Sequence, residues 1–216
     1  TARKLMDIHG VPLGTRPVVA YHDHSNASVR ERLMTAIAQG QSVAYVSEAG
    51  TPLVADPGYK LAADARATGL AVTAAPGASA VLAALTVSGL PSDAFHFAGF
   101  LPNTSAARRT ALEGLCRIDA TIVLYESPKR LAAFMADLVS VAGPDRRVVI
   151  CRELTKKFEQ VLSGPAQTLM DQVTEHPLKG EVVVLIDRAE KNEPQEVDVK
   201  AALTQAMQTM RIKDAA

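Results

Sequence analysis

An alternation limits most strongly what this chain can fold into. Short apolar runs, many of them β-branched, alternate with longer segments of helical spacing. The runs lie at 17–21, 42–46 and 71–74, then at 95–100, 121–125, 147–151 and 182–187, with a further strand expected over 158–162. Helical patterns fill the gaps. One is capped at Ser25-Asn26 and runs to Gln39; others lie at about 59–68, 79–87, 106–116, 128–141 and 166–173. Gly40 and Gly69 stand where the first two must stop. Strands alternating with helices predict an α/β chain with a parallel sheet in its first half. The stretch 158–187 places strands close together, so the second half is expected to hold a mixed or antiparallel sheet.

Turn residues at Leu90-Pro91-Ser92-Asp93 follow a Gly stop and mark a boundary. We read 1–91 as an N-terminal α/β domain, 92–189 as a C-terminal α/β domain, and 190–216 as a linker and a helix over 199–212. Residues 1–6 also read as part of a helix, and native sequence is expected beyond both ends. The stretch 67–92 lacks charge but is split by Pro76-Gly77, so it reads as strand, turn and buried helix, not a membrane span.

Charge narrows the function. Lys and Arg number 23, as do Asp and Glu, so the formal charge is zero. A protein that coats nucleic acid by bulk charge carries a basic excess, which leaves only local basic patches here. No Trp and 4% aromatics disfavour a single-strand binder built on many stacking rings. Cys116 and Cys151 are isolated, fit no metal-ligand spacing, and read as free thiols of a cytoplasmic protein. His22-Asp23-His24 offers too few ligands for a metal site and reads as a polar loop, with RNA contact left open; no metal is expected.

In open α/β sheets ligands bind beyond the carboxyl ends of the strands, so the loops after strands carry the chemistry. The loop 47–58, Ser-Glu-Ala-Gly-Thr-Pro-Leu-Val-Ala-Asp-Pro-Gly, is longer than such loops usually are. Gly50 admits close approach of a ligand to the backbone, Thr51 offers a hydroxyl, and Asp56-Pro57-Gly58 reads as a cap for the next helix. Pro76-Gly77-Ala78-Ser79-Ala80 is a tight turn of small residues, suited equally to a cofactor and to close helix–sheet packing. Neither loop has the pattern of a phosphate cradle. Glu126, Glu153 and Lys156 each stand just past an expected strand and are candidates for acid–base or electrostatic work, against the plainer reading of structural ion pairs. Arg108-Arg109 and Lys129-Arg130 open helices and are the basic pairs expected to meet phosphate.

Residues 47–58 resemble the S-D-A-G-T-P-x-x-S-D-P-G signature of the small-subunit ribosomal RNA methyltransferase I family, a branch of the tetrapyrrole methylase superfamily. Further matches follow in order: Leu90-Pro91-Ser92-Asp93, Gly99-Phe100-Leu101-Pro102, Tyr125-Glu126-Ser127 with Arg130, Arg152-Glu153-Leu154-Thr155-Lys156, and Lys179-Gly180-Glu181. The resemblance spans about 1–189. Glu48 and Ala55 depart from it, standing where the signature has Asp and Ser. It also implies a first strand and a P-I-G-N-L-x-D loop that would precede Thr1.

The resemblance implies a two-domain α/β fold with S-adenosylmethionine in the cleft between domains. It implies methyl transfer to the ribose 2′-hydroxyl of a cytidine in the decoding region of 16S rRNA, with the small ribosomal subunit as partner, in a homodimer. By motif position, the backbone of Ala49, Gly50 and Thr51 would face the methionine end of the cofactor. Ser79 and Ala80 would line it, Tyr125, Glu126 and Ser127 would contribute from the second domain, and Gly180 and Glu181 would lie near the adenosine. A small-molecule methylase of the same superfamily is the alternative enzyme, but that branch shows G-G-D-P where this chain has Glu48-Ala49-Gly50-Thr51-Pro52. A non-catalytic, cofactor-binding ribosome-assembly module is the third reading.

Overall fold

A computed structural model describes residues 2–22, 27–47 and 49–189. Its organising element is a five-stranded mixed sheet in the order β1-β2-β5-β3-β4, built from β1 (Phe95–Phe100), β2 (Thr121–Glu126), β3 (Arg147–Arg152), β4 (Gln160–Pro165) and β5 (Val182–Ile186). β1 and β2 pair in parallel; β5 runs antiparallel to both β2 and β3, and β4 antiparallel to β3. The expected strands of the second half therefore form, with the antiparallel character anticipated for 158–187.

Helices cover both faces. α5 (Ser105–Leu115), α6 (Pro128–Ala142) and α7 (Ala166–Glu175) cover one, where Leu112, Leu131, Phe134, Met135, Leu138 and Leu169 meet Ile122, Leu124, Ile150, Val184 and Ile186. α4 (Ala80–Ser88) lies on the other, and its Val81, Ala84 and Leu85 meet Val123, Val149, Cys151, Val183 and Leu185. All of β5 is buried, which explains its unbroken Val-Val-Val-Leu-Ile run: a strand covered on both faces needs no polar alternation. α6 stops at Gly143, where φ is +89°, a backbone state that L side chains rarely adopt.

The first half departs from expectation. Its helices form: α1 (Ala2–Ile8), α2 (Ala27–Ala38) and α3 (Tyr59–Ala67). However, segments 17–21, 42–46 and 71–74 carry no strand pairing among the described residues, so the parallel N-terminal sheet is not formed there. Tyr21 and Tyr45 still meet edge to face at 6.1 Å, which sets the first two segments near one another. Val18, Val43, Val46 and Val72 are each about two-fifths exposed. The physical reason is that an apolar run is a local property whereas a ladder needs a partner strand in register. Ser25, Asn26, Asp23, His24, Glu48 and the segment 190–216 lie outside the described residues.

α5 and α6 are locked by charge. Arg108 is 4% exposed and its guanidinium reaches the Asp137 carboxylate, with Nε 2.7 Å from Oδ2. Ser105 Oγ donates to Asp137 Oδ1 at 2.7 Å. Burial pushes the Asp137 carboxyl up, but Ser105 and Arg108 outweigh it and hold it below the usual range. The expected phosphate contact of Arg108 is thus corrected: its cation is spent inside the protein, at the helix–helix seam. Arg108→Ala should cost about 3–5 kcal/mol in urea unfolding, because it strands a buried carboxylate. Arg109→Ala, one residue on and exposed, should stay within about 0.5 kcal/mol. The pair's contribution should persist above about pH 4 and fade as pH drops through the lowered Asp137 pKa.

Candidate functional site

β1, β2 and β3 all run in one direction, and β5 enters from their carboxyl ends. Glu126 and Arg152, the last residues of β2 and β3, both sit opposite Val182, the first of β5. The register thus draws three sequence-distant motifs to one edge: Tyr125-Glu126-Ser127, Arg152-Glu153 through Lys156, and Gly180-Glu181.

Glu153 and Lys156 do meet. Lys156 Nζ donates to Glu153 Oε1 at 2.9 Å and to Glu181 Oε2 at 3.0 Å, and the Glu181 N–H donates to Glu153 Oε1 at 2.9 Å. The Glu153 N–H also donates to the Glu181 carbonyl at 2.9 Å. Lys156 and the Glu181 N–H hold the Glu153 carboxyl below its usual range. Glu153 and Glu181 raise the Lys156 ammonium, so both members are charged at neutral pH. Glu153 and Thr155 adopt φ of +51° and +64°, uncommon for non-glycine residues. Such strain clusters at ligand sites because the surroundings must over-determine it.

Glu126 lies elsewhere. Alternation puts Tyr125 on the α4 face and Glu126 on the face of α6. There it is 3% exposed, its Oε1 accepts from the Ser127 N–H at 2.6 Å, and Arg130 Nε stands 3.2 Å away. Its Oε2 is buried without a hydrogen-bond partner. Arg130 donates onward to the Leu101 and Pro102 carbonyls at 2.9 and 3.2 Å, and to the Asn103 side chain. Arg130 therefore straps the β1–α5 loop to the end of β2. Lys129 and Arg109 are the exposed members of their basic pairs.

The two small-residue loops also come together. Thr51 Oγ1 donates to the Ala78 carbonyl at 3.1 Å, and Ser47 Oγ donates to the Gly50 carbonyl at 2.7 Å. A Cβ at Gly50 would stand 3.5 Å from the Ala78 oxygen. Leu53 and Ala55 hold φ of +70° and +53°, so this long loop carries backbone strain. The expected cap at Asp56 does not form: Gly58 is the N-cap of α3, with no side-chain bond, and Asp56 Oδ2 is buried without a partner. Ser79 is the N-cap of α4 and Ala80 its first residue. α4 links the two regions, since Tyr125 and Leu154 pack on the cluster that holds Val81 and Leu85. The sequence motifs stopped one residue short of Asn103, which accepts from Arg130; the Gly-Phe-Leu-Pro-Asn run was the available signal.

The profile of the Tetrapyrrole (Corrin/Porphyrin) Methylases matches residues 10–170. The chain belongs to this family. A protein named ribosomal RNA small subunit methyltransferase I from Mesorhizobium japonicum is 46% identical over 201 residues, covering 91% of this chain and 67% of that protein. The protein of the same name from Xylella fastidiosa is 47% identical over 81% of this chain and 64% of its own length. The chain thus falls in the methyltransferase I branch and spans about two thirds of the length of such relatives. Among solved structures, diphthine synthase aligns with a TM-score of 0.61 at 17% identity, covering 87% of this chain and 74% of that one. The methyltransferase CobJ aligns at 0.57 and 20% identity over 79% and 78%. These two show the fold alone. No helix among the described residues is long and apolar enough to cross a membrane.

Gly180 has a φ of +93°, and a Cβ there would stand 2.4 Å from the Glu153 carboxyl carbon. Gly180→Ala should displace that carboxylate from Lys156 and cost about 1–2 kcal/mol of stability from the left-handed backbone. Carboxyl NMR titration should show the Glu153 pKa moving back toward its ordinary value.

Proposed function

We propose that the carboxyl edge binds S-adenosylmethionine and directs methyl transfer to the ribose 2′-hydroxyl of a cytidine in 16S rRNA of the small ribosomal subunit. The meeting of Glu153, Lys156 and Glu181 beside strained backbone carries this reading, in a chain 46% identical to a named small-subunit rRNA methyltransferase. The residues suit the cofactor. A cationic sulfonium nucleoside needs negative charge and acceptors, which Glu153, Glu181 and the unpartnered Asp56 Oδ2 provide. Ala49, Gly50, Thr51, Ser79 and Ala80 would hold its methionine side, and Tyr125, Ser127, Gly180 and Glu181 its nucleoside.

When bound, the cofactor supplies an electrophilic methyl group. The protein's part is alignment and electrostatics; alignment of two reactants alone is worth about 7–11 kcal/mol. A ribose hydroxyl is a weak nucleophile. Lys156, kept protonated between two carboxylates, would lower the pKa of a hydroxyl beside it and stabilise the developing alkoxide, whose proton passes to solvent water as the oxygen takes the methyl group. Glu153 positions Lys156. Glu126, on the opposite face, orders Ser127 and Arg130 and does not face the same space as Tyr125. Arg109 and Lys129 are the cations we assign to RNA phosphate, at a cytoplasmic site of action and in a homodimer.

The test uses the intact protein, methyl-labelled S-adenosylmethionine and small subunits lacking the modification. Label should appear on a ribose 2′-oxygen of 16S rRNA. Lys156→Met should lower kcat by about 10²–10³-fold, the usual cost of removing one preorganised donor, and Lys156→Arg should recover part of it. Label on a porphyrinogen alone would refute the reading.

A further inference from the structure

β1 carries an irregularity with a directional consequence. Phe97 pairs with Val123, but the next partners are Gly99 with Leu124 and Phe100 with Tyr125, so Ala98 is an extra residue in β1. Bulges in parallel pairs are rare, and a one-residue slip moves a side chain to the opposite face. Without the bulge, alternation from Phe97 would send Phe100 toward α5 and α6. With it, Phe100 sits on the α4 face, edge to face with Tyr125 at 5.6 Å between ring centroids. Phe97 supports Tyr125 from the other side at 4.9 Å. Gly99, at φ +64°, is the residue that permits the turn.

The ring so re-aimed is not buried. Phe100 is 59% exposed, while the next residue, Leu101, is 7% exposed. Its backbone is held, because Arg130 binds the carbonyls of Leu101 and Pro102 and is itself paired with Glu126. A rigid mount for an exposed aromatic ring, at the carboxyl edge and on the face of Tyr125, does nothing for the core. We propose that Phe100 is a substrate-recognition residue: its ring stacks on a nucleobase of the RNA at the acceptor position. Flat aromatic rings take bases in this way, most readily bases splayed out of a helix. The position also separates Phe100 from the Glu153–Lys156–Glu181 cluster. β1 is the edge strand and β5 lies beyond β2, so Phe100 is two strand spacings, about 10 Å, from the β5 entry. Tyr125, which we assign to the cofactor's nucleoside, touches Phe100, so the affinity for S-adenosylhomocysteine is what distinguishes an acceptor base on Phe100 from the cofactor's adenine.

This inference rests on the rRNA reading above, and the experiment separates the two. In the intact protein, the parent must label 16S rRNA; failure there removes the functional reading and this inference with it. Given that activity, Phe100→Ala should raise KM for the small subunit by roughly 5- to 100-fold while leaving the affinity for S-adenosylhomocysteine unchanged. Phe100→Tyr should retain the parent KM, and Phe100→Leu should behave like Phe100→Ala, since the ring face and not the apolar volume is used. The chain has no Trp, so Phe100→Trp adds an indole whose fluorescence a cytidine-containing RNA oligonucleotide should quench saturably. Tyr59→Trp, at an exposed site on α3, should show no such quenching. An unchanged KM for Phe100→Ala, full recovery by Phe100→Leu, a parallel loss of cofactor affinity, or no saturable quenching at position 100 would each overturn the proposal.

Discussion

The pairing of β5 between β2 and β3 is the interaction on which the rest of this structure depends. Its five residues are buried on both faces and pair on both edges. Removing such a strand would expose both cores at once and leave two rows of backbone groups without partners. The same pairing fixes the site. Because β5 runs against its neighbours, its first residue meets the last residues of β2 and β3, and the turn before it delivers Gly180 and Glu181 to Glu153. A parallel β5 would have put that turn at the opposite edge of the sheet. The chemistry thus follows from strand direction and register, not from any single motif.

The charges divide into those that hold the scaffold and those that face the edge. Arg108 with Asp137, and Arg130 with Glu126, tie helices and loops together from positions where water is largely excluded. Breaking either pair strands a buried charge, which is a larger effect than making one. Lys156 with Glu153 and Glu181 is more open, and its two carboxylates keep one cation in place and ionised. Solvent screens that cluster, so its value to folding is small. What it gives is a fixed positive charge beside strained backbone, at the edge where α/β folds bind ligands.

Much of this was legible in the residues. The apolar runs at 95–100, 121–125, 147–151 and 182–187 each lie on an observed strand, because a short apolar or aromatic run bounded by turn residues is a strong local signature. The first-half runs at 17–21, 42–46 and 71–74 left the same signature without pairing, since composition reports burial preference and says nothing of the partner. Grouping Glu153, Lys156 and Glu181 needed the motif order, but their contact needed the antiparallel register of β5. Arg108 shows the opposite limit. A basic pair at a helix start looks like a phosphate contact, and only the facing Asp137, 29 residues away, reveals that one of the two points inward. The β1 bulge was invisible in the sequence, apart from the Gly-Phe that it requires.

We propose that the loops 49–51 and 76–80 and the edge built by β2, β3 and β5 form one ligand site. A crystal structure of the intact protein with S-adenosylhomocysteine tests this most directly. One bound molecule should touch the backbone of Gly50 or Thr51 and also the turn at Gly180-Glu181, with Lys156 still between its two carboxylates. A molecule bound to only one of these regions, or bound on the face of α6, would contradict it.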